Sequence, residues 1–173
     1  MEAVSRVHLT SEGLALGALL RSHRVLLEEV EKQLREKVGL SFPLYEALAT
    51  LAAAPEQRLR MVDITRRMCV SKGNVTQLID KLERQDLLTR EASPTDRRLV
   101  YAQLTERGRK AAEHGTEIFN RAAQERFARS MTKDEIKHVA AGLTKVIAAL
   151  EPDSIVSATS VERMKVKRSG SHG

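Results

Sequence analysis

The sequence predicts a mainly α-helical fold that carries one small β-hairpin, and three observations between Met61 and Leu104 predict it. Ile64 and Met68 repeat at helical spacing, the pattern breaks at Cys69-Val70, and Ser71 stands where a helix N-cap belongs, its side-chain oxygen available to an unpaired backbone N–H. Behind it Val75, Leu78, Ile79 and Leu82 fall at i, i+3, i+4 and i+7, one apolar stripe, while Lys72, Asn74, Thr76, Gln77, Asp80 and Lys81 occupy the opposite face. Third, Leu87 to Arg90 and Leu99 to Leu104 are β-prone runs separated by the turn formers Ser93-Pro94-Thr95-Asp96, with Arg97-Arg98 at the exposed tip. Two short helices followed by a basic hairpin describe a winged helix-turn-helix.

The flanking elements follow in order. Residues 1–9 show no periodic pattern and read as a loosely held arm. Thr10-Ser11-Glu12 is a helix start. From there to Val38 the residues Leu16, Leu19, Leu20, His23, Leu26, Leu27, Val30 and Leu34 make one apolar stripe, broad enough to need a partner larger than a single small domain offers. Gly39 suits a left-handed terminus. Ser41 is the expected cap of the next helix, Pro43 falls in its first turn where a missing N–H costs nothing, and Leu44, Leu48 and Leu51 point inward. Ala53 to Glu56 closes that helix, and Leu59-Arg60-Met61 can add a third strand to the hairpin. After the hairpin, Thr105 opens a long helix to about Arg129, weakened in the middle by Gly115. Thr132 and Glu135 are spaced as a capping box, and Ile136, Val139, Ala140, Leu143, Val146, Ile147 and Leu150 form the stripe of a last helix ending before Pro152. Residues 151–173, with Arg163, Lys165, Lys167 and Arg168 among Ser, Thr and Gly, read as a disordered basic tail, inert rather than DNA-contacting.

Composition bounds the function. With 42% hydrophobic and 30% charged residues the chain is an ordinary globular protein, long enough at 173 residues for one domain with a core. The net charge of +6 is local: twelve Arg and Lys against seven Asp and Glu between Arg58 and Arg109 account for five of the six. A polyanion partner fits that placement. The single cysteine excludes an internal disulfide and fits a reducing compartment. No apolar run approaches the roughly 18 residues a membrane span needs, and the first residues lack a signal-peptide layout, so a cytoplasmic protein is expected. No Gly-rich phosphate loop, nucleophile elbow or H-E-x-x-H is present, which argues against an enzyme. The five histidines have no ligand-like spacing; no metal and no cofactor are expected.

At this point the chain resembles the MarR family of bacterial transcription regulators. The resemblance rests on V-S-K-x-x-V-T-x-L-I-D-x-L-E (Val70 to Glu83), the D-R-R tip (Asp96 to Arg98), L-T-E-R-G (Leu104 to Gly108) and the helix start Gly39 to Tyr45. As an order of helices and strands it covers roughly residues 10–150. It implies a winged helix-turn-helix lobe over residues 41–104, flanked by dimerisation helices over residues 10–38 and 105–150. It further implies a homodimer on double-stranded DNA, in which the first helix interlocks with the terminal helices of a second subunit. The function implied is a repressor that reads an inverted repeat and is released by a small aromatic or phenolic effector.

The residues that such a reader would use are then Arg60, Ser71, Lys72, Gly73, Asn74, Thr76, Gln77, Lys81, Arg90, Asp96, Arg97 and Arg98. Asn74, Thr76 and Gln77 have the donors and acceptors for base edges, Lys72 and Lys81 suit phosphate, and Gly73 permits close backbone approach. By the family pattern Arg97 enters the minor groove while Asp96 orients it. His23 and Tyr45 are candidate effector-pocket residues, with the alternative that both are ordinary core or interface side chains. Cys69 occupies a turn position where the family more often has Gly. Beside Arg66, Arg67 and Lys72 its thiol could serve a redox switch, though a free cysteine is more often a small buried hydrophobe. Two rival functions stay open: a ligand-independent or architectural DNA binder, and a protein-interaction module that never touches DNA.

Overall fold

The computed structural model describes residues 9–68, 75–93, 96 and 99–150. Six α-helices and three strands follow one another as α1 (Ser11–Val38), α2 (Phe42–Ala52), β1 (Arg58–Arg60), α3 (Met61–Arg67), α4 (Val75–Arg84), β2 (Leu88–Ala92), β3 (Val100–Leu104), α5 (Glu106–Ala122) and α6 (Lys133–Leu150). The expected mainly α fold with a small β wing is therefore present. The arm before Leu9, the tail 151–173 and Cys69 lie outside the described residues.

Helix α1 begins where the sequence places it: the Thr10 hydroxyl accepts the Gly13 N–H at 3.2 Å. It ends on Gly39, left-handed at φ 72°. The cap of α2 departs from expectation. The Ser41 side chain makes no capping bond there; instead the Glu31 carboxylate of α1 accepts the Phe42 N–H. A carboxylate at a helix N-terminus satisfies an orphan donor and complements the macrodipole, so α1 itself caps α2.

The sheet has the order β1-β3-β2, all antiparallel. The third strand is one residue earlier than the expected Leu59 to Met61, since Met61 already opens α3. Leu59 opposes Ala102, which opposes Arg90, on the face turned to the helices; Arg60, Tyr101 and Glu91 make a row on the outer face. The period of two puts Leu59 and Ala102 in the core and leaves Arg60 exposed.

The core joins α2, α4, the inner sheet face, the second half of α1 and α5, with Leu34, Leu44, Leu48, Leu51, Ile64, Ile79, Leu82 and Leu88 fully buried. Helix α5 runs unbroken through Gly115. A Cβ there would stand 2.4 Å from the Tyr45 ring, so the glycine is what lets α2 and α5 approach. The long helix expected to reach Arg129 stops at Ala122 and passes into a π-helical turn, Ala123–Phe127. Helix α6 opens on the expected capping box: Thr132 N–H donates to Glu135 at 2.7 Å and Glu135 N–H to the Thr132 hydroxyl at 3.3 Å. It buries no residue.

Candidate nucleic-acid interface

Helix α4 is held by one face. Val75, Ile79 and Leu82 are buried and Leu78 packs against the same core. Thr76, Gln77 and Lys81 are exposed on the far side. Ser71, Lys72, Gly73 and Asn74, which complete that face in the sequence, lie outside the described residues. The exposed set offers a hydroxyl, an amide and an ammonium on a surface that the buried stripe keeps from rotating, which is what reading base edges requires.

The hairpin is fixed to this helix by charge. Arg90, half-buried on the inner face of β2, donates to Glu83 at 2.7 Å and to Asp80 at 2.5 Å, both on α4. A guanidinium fork between two carboxylates one helical turn apart sets the angle between helix and wing. Arg90 is thus committed within the chain, which the β-prone run Leu87 to Arg90 does not reveal.

The root of the hairpin explains the L-T-E-R-G string. The Thr105 hydroxyl accepts the Gly108 N–H at 3.0 Å as the cap of α5, and donates to the Asp86 carbonyl at 2.7 Å. Asp86 is left-handed at φ 63°, in the turn between α4 and β2. A Cβ on Gly108 would lie 1.8 Å from the Leu87 carbonyl oxygen, and that oxygen also accepts the Thr105 N–H at 3.2 Å. Glycine is needed because α5 starts against this backbone. At the other end, the Ser93 N–H donates to the Leu99 carbonyl at 2.9 Å and the Leu99 N–H to the Asp96 carbonyl at 3.0 Å, which closes the wing. Asp96 is exposed, and Arg97 and Arg98 lie outside the described residues.

On the outer face of the sheet, Arg60 is exposed opposite Tyr101, and the neighbouring phenol is the main cause holding the Arg60 pKa above its ordinary value. Arg58 stacks over the Tyr101 ring at 4.1 Å and pairs with Glu91 at 3.5 Å. Sequence reasoning did not single out Tyr101 or Arg58. The signal available was the alternation of Arg58 and Arg60 on a three-residue strand.

The two candidate effector residues are separated by burial. Tyr45 is 6% exposed, stacked on Phe119 with ring centroids 6.1 Å apart, and its hydroxyl donates to Thr116 at 3.4 Å. Burial pushes its phenol pKa up. His23 is exposed on α1. Neither lines the apolar groove of about 870 Å³ between α1 and the C-terminal segment, whose walls include Leu16, Leu19, Leu26, Phe127, Leu143 and Val146. Among the described residues no cluster of His, Cys, Asp or Glu could hold a metal, and no helix is long and apolar enough to cross a membrane.

This geometry has close counterparts. The model of the MarR family matches residues 40–100. The HTH-type transcriptional regulator MhqR of Bacillus subtilis is 35% identical over 101 residues, 58% of this chain and 68% of the relative. The transcriptional repressor MprA of Escherichia coli is 26% identical over 133 residues, 76% of this chain and 75% of the relative. Among solved structures, the MarR family regulator Sco3205 of Streptomyces coelicolor, in complex with DNA, superposes with a TM-score of 0.74 at 25% identity, over 83% of this chain and 94% of that one.

Proposed function

Because the chain belongs to the MarR family of DNA-binding transcriptional regulators, which are not enzymes, we propose that it is a cytoplasmic repressor that reads an inverted-repeat operator as a homodimer. The observation that carries this reading is the orientation of α4. Its apolar stripe is buried, its Thr76-Gln77-Lys81 face is free, and Arg90 holds the adjacent wing at a set angle to it. A helix so presented enters a major groove while the wing reaches the neighbouring minor groove. Ser71, Lys72, Gly73 and Asn74 extend the base-reading face, and Arg97, oriented by Asp96, enters the minor groove with Arg98 on phosphate. Arg90 acts through the wing rather than on DNA.

The homodimer is supported by surface that one chain leaves uncovered. Leu14, Leu16, Leu20 and Val25 of α1 and Val146, Ile147 and Leu150 of α6 are all between 40% and 76% exposed. Apolar residues concentrated on two helices that line one groove mark an interface, and a second copy of the same helices is its natural occupant. Two recognition helices held about one DNA turn apart then match a palindrome. The repressor assignment draws on MprA, a named repressor. We assign no effector pocket to His23 and Tyr45, since one is exposed and the other is closed into the core.

The test is binding of the purified protein to the DNA upstream of its own gene, with scrambled duplex as competitor, for wild type and Arg97→Ala. Binding that survives the competitor, and an affinity loss of about 10-fold or more in Arg97→Ala with unchanged thermal unfolding, is expected from a lost charge-assisted contact of roughly 1.5–3 kcal/mol. An Arg97→Ala protein that binds as wild type does would remove the wing from the reading surface. Binding abolished by the competitor would favour the architectural alternative.

A further inference from the structure

Helix α1 belongs to both halves of the molecule. Its first part carries the exposed side chains Leu14, Leu16, Leu20 and Val25, and further along Val30 and Leu34 are buried in the core. Gly39, Leu40 and Ser41 alone join it to α2, and Gly39 turns the chain with its left-handed φ of 72°. Across this corner a carboxylate ties the two helices. The half-buried Glu31 accepts the Phe42 N–H on Oε2 and the Arg35 Nε–H on Oε1, the latter at 2.6 Å. Arg35 lies one turn further along α1, so the carboxylate is aimed from its own helix before it reaches the next. The N-terminus of α2 brings no substitute: Ser41 makes no side-chain cap and the first turn holds no acidic residue. Leu44, Leu48 and Leu51 of α2 share the core with Ile79 and Leu82 of α4, so a tilt of α2 carries α4 with it. Apolar packing is non-directional, whereas a charge-assisted hydrogen bond fixes a point and a direction.

We infer that Glu31 is a positioning residue that sets the angle between the dimer-forming helix and the recognition lobe, and through it the half-site spacing that two α4 helices accept. The inference rests on the homodimer and operator reading above and names the residue through which α1 determines operator geometry. Two recognition helices read an inverted repeat only when their separation matches the DNA turn. A lobe free to tilt on α1 would meet several spacings, each less tightly, because the second half-site gains from linkage only when the geometry is held.

The probe is the duplex that the full chain selects from a random-sequence library, with versions that have one half scrambled or one base pair inserted at the centre. Wild type should bind the intact duplex at least about 10-fold more tightly than either altered one. Glu31→Ala should lose about 10-fold on the intact duplex, keep its affinity for the single half, and lose most of the penalty for the inserted base pair. It should remain dimeric by sedimentation. Removing the bond also uncaps α2, and Ser41→Asp supplies a cap from that helix end itself. In the Glu31→Ala background Ser41→Asp should raise the melting temperature, yet the spacing penalty should stay lost. A Glu31→Ala protein that keeps the wild-type penalty, weakens equally on intact and half duplexes, or turns monomeric overturns the inference and leaves the operator reading intact. Spacing discrimination restored together with melting by Ser41→Asp does the same, since stability of α2 would then be all that Glu31 supplies. A wild-type protein that binds intact and half duplexes equally, or selects no sequence, overturns both.

Discussion

The winged lobe and the outer helices are built on opposite terms. Among the described residues every buried apolar side chain falls between Val30 and Ala122, whereas the first 19 residues of α1 and all of α6 bury none. The lobe closes a core with the second half of α1 and with α5; the first part of α1 and α6 carry apolar stripes too and leave them open. An apolar stripe in a sequence therefore says that a face will be covered, and says nothing about whether the cover comes from the same chain. The lobe is where a single polypeptide specifies rigid geometry, and the outer helices are where, on the homodimer proposed above, a second one would complete it.

The largest effect that tests this contrast lies at the root of the hairpin. Gly108→Ala places a methyl group where the Leu87 carbonyl oxygen already stands, and backbone cannot turn aside as a side chain can. A loss of about 3 kcal/mol is expected, read by denaturant unfolding as a lower midpoint with an unchanged slope. A loss below about 0.5 kcal/mol would show that α5 can slide off the lobe, and that the lobe is less self-contained than its packing indicates.

The second effect moves to the open helices. Val146→Glu and Leu16→Glu replace side chains that are 50% and 57% exposed in the single chain. In an isolated protein such surface changes stay within about 0.5 kcal/mol. If these stripes pair between copies, each change should instead give a monomer by sedimentation. Affinity for a two-half-site operator should then fall on the order of 100-fold, since the second half-site no longer benefits from effective concentration. A charged variant that remains dimeric would place the interface elsewhere and undo the contrast.

The sequence and the structure agree where the signal is local, and diverge where it is tertiary. The stripe Val75-Leu78-Ile79-Leu82, the Thr10 and Thr105 caps, the left-handed Gly39 and the Thr132–Glu135 box depend on residues within four positions of each other, and each was legible. Gly115 reads as a weak point in a helix because propensity counts only its own backbone. The Tyr45 ring, seventy positions earlier, is what makes it necessary. Ser41 looks like a cap, but its side chain makes no capping bond, and Glu31 takes the Phe42 N–H from another helix, a bond no rule of spacing finds. Arg90 and Tyr101 follow the same logic. The residues of the candidate interface could be collected from one stretch of sequence. Which of them face outward and which hold the wing depended on strand register and on contacts between elements.

The smallest effect concerns how α6 keeps its shape with no core to lean on. Its first turn is closed by Glu135, whose carboxylate accepts the Thr132 N–H at 2.7 Å and the Thr132 hydroxyl at 2.8 Å. These bonds, the backbone one first, hold the Glu135 pKa below the usual carboxylate range. A carboxyl group whose folded pKa is lowered stabilises the folded form at pH values above its unfolded pKa, and that contribution disappears as pH falls through the lower, folded value. The cap should therefore persist at neutral pH and loosen only in acid. The Thr132 amide proton resonance should follow a single titration with a midpoint below that of an ordinary glutamate, and Glu135→Gln should abolish the titration. A midpoint at or above the ordinary value would mean the box is open in solution. Helix α6 would then owe its order to contacts outside its own first turn, and the division between a self-closed lobe and open outer helices would be sharper than the cap now makes it.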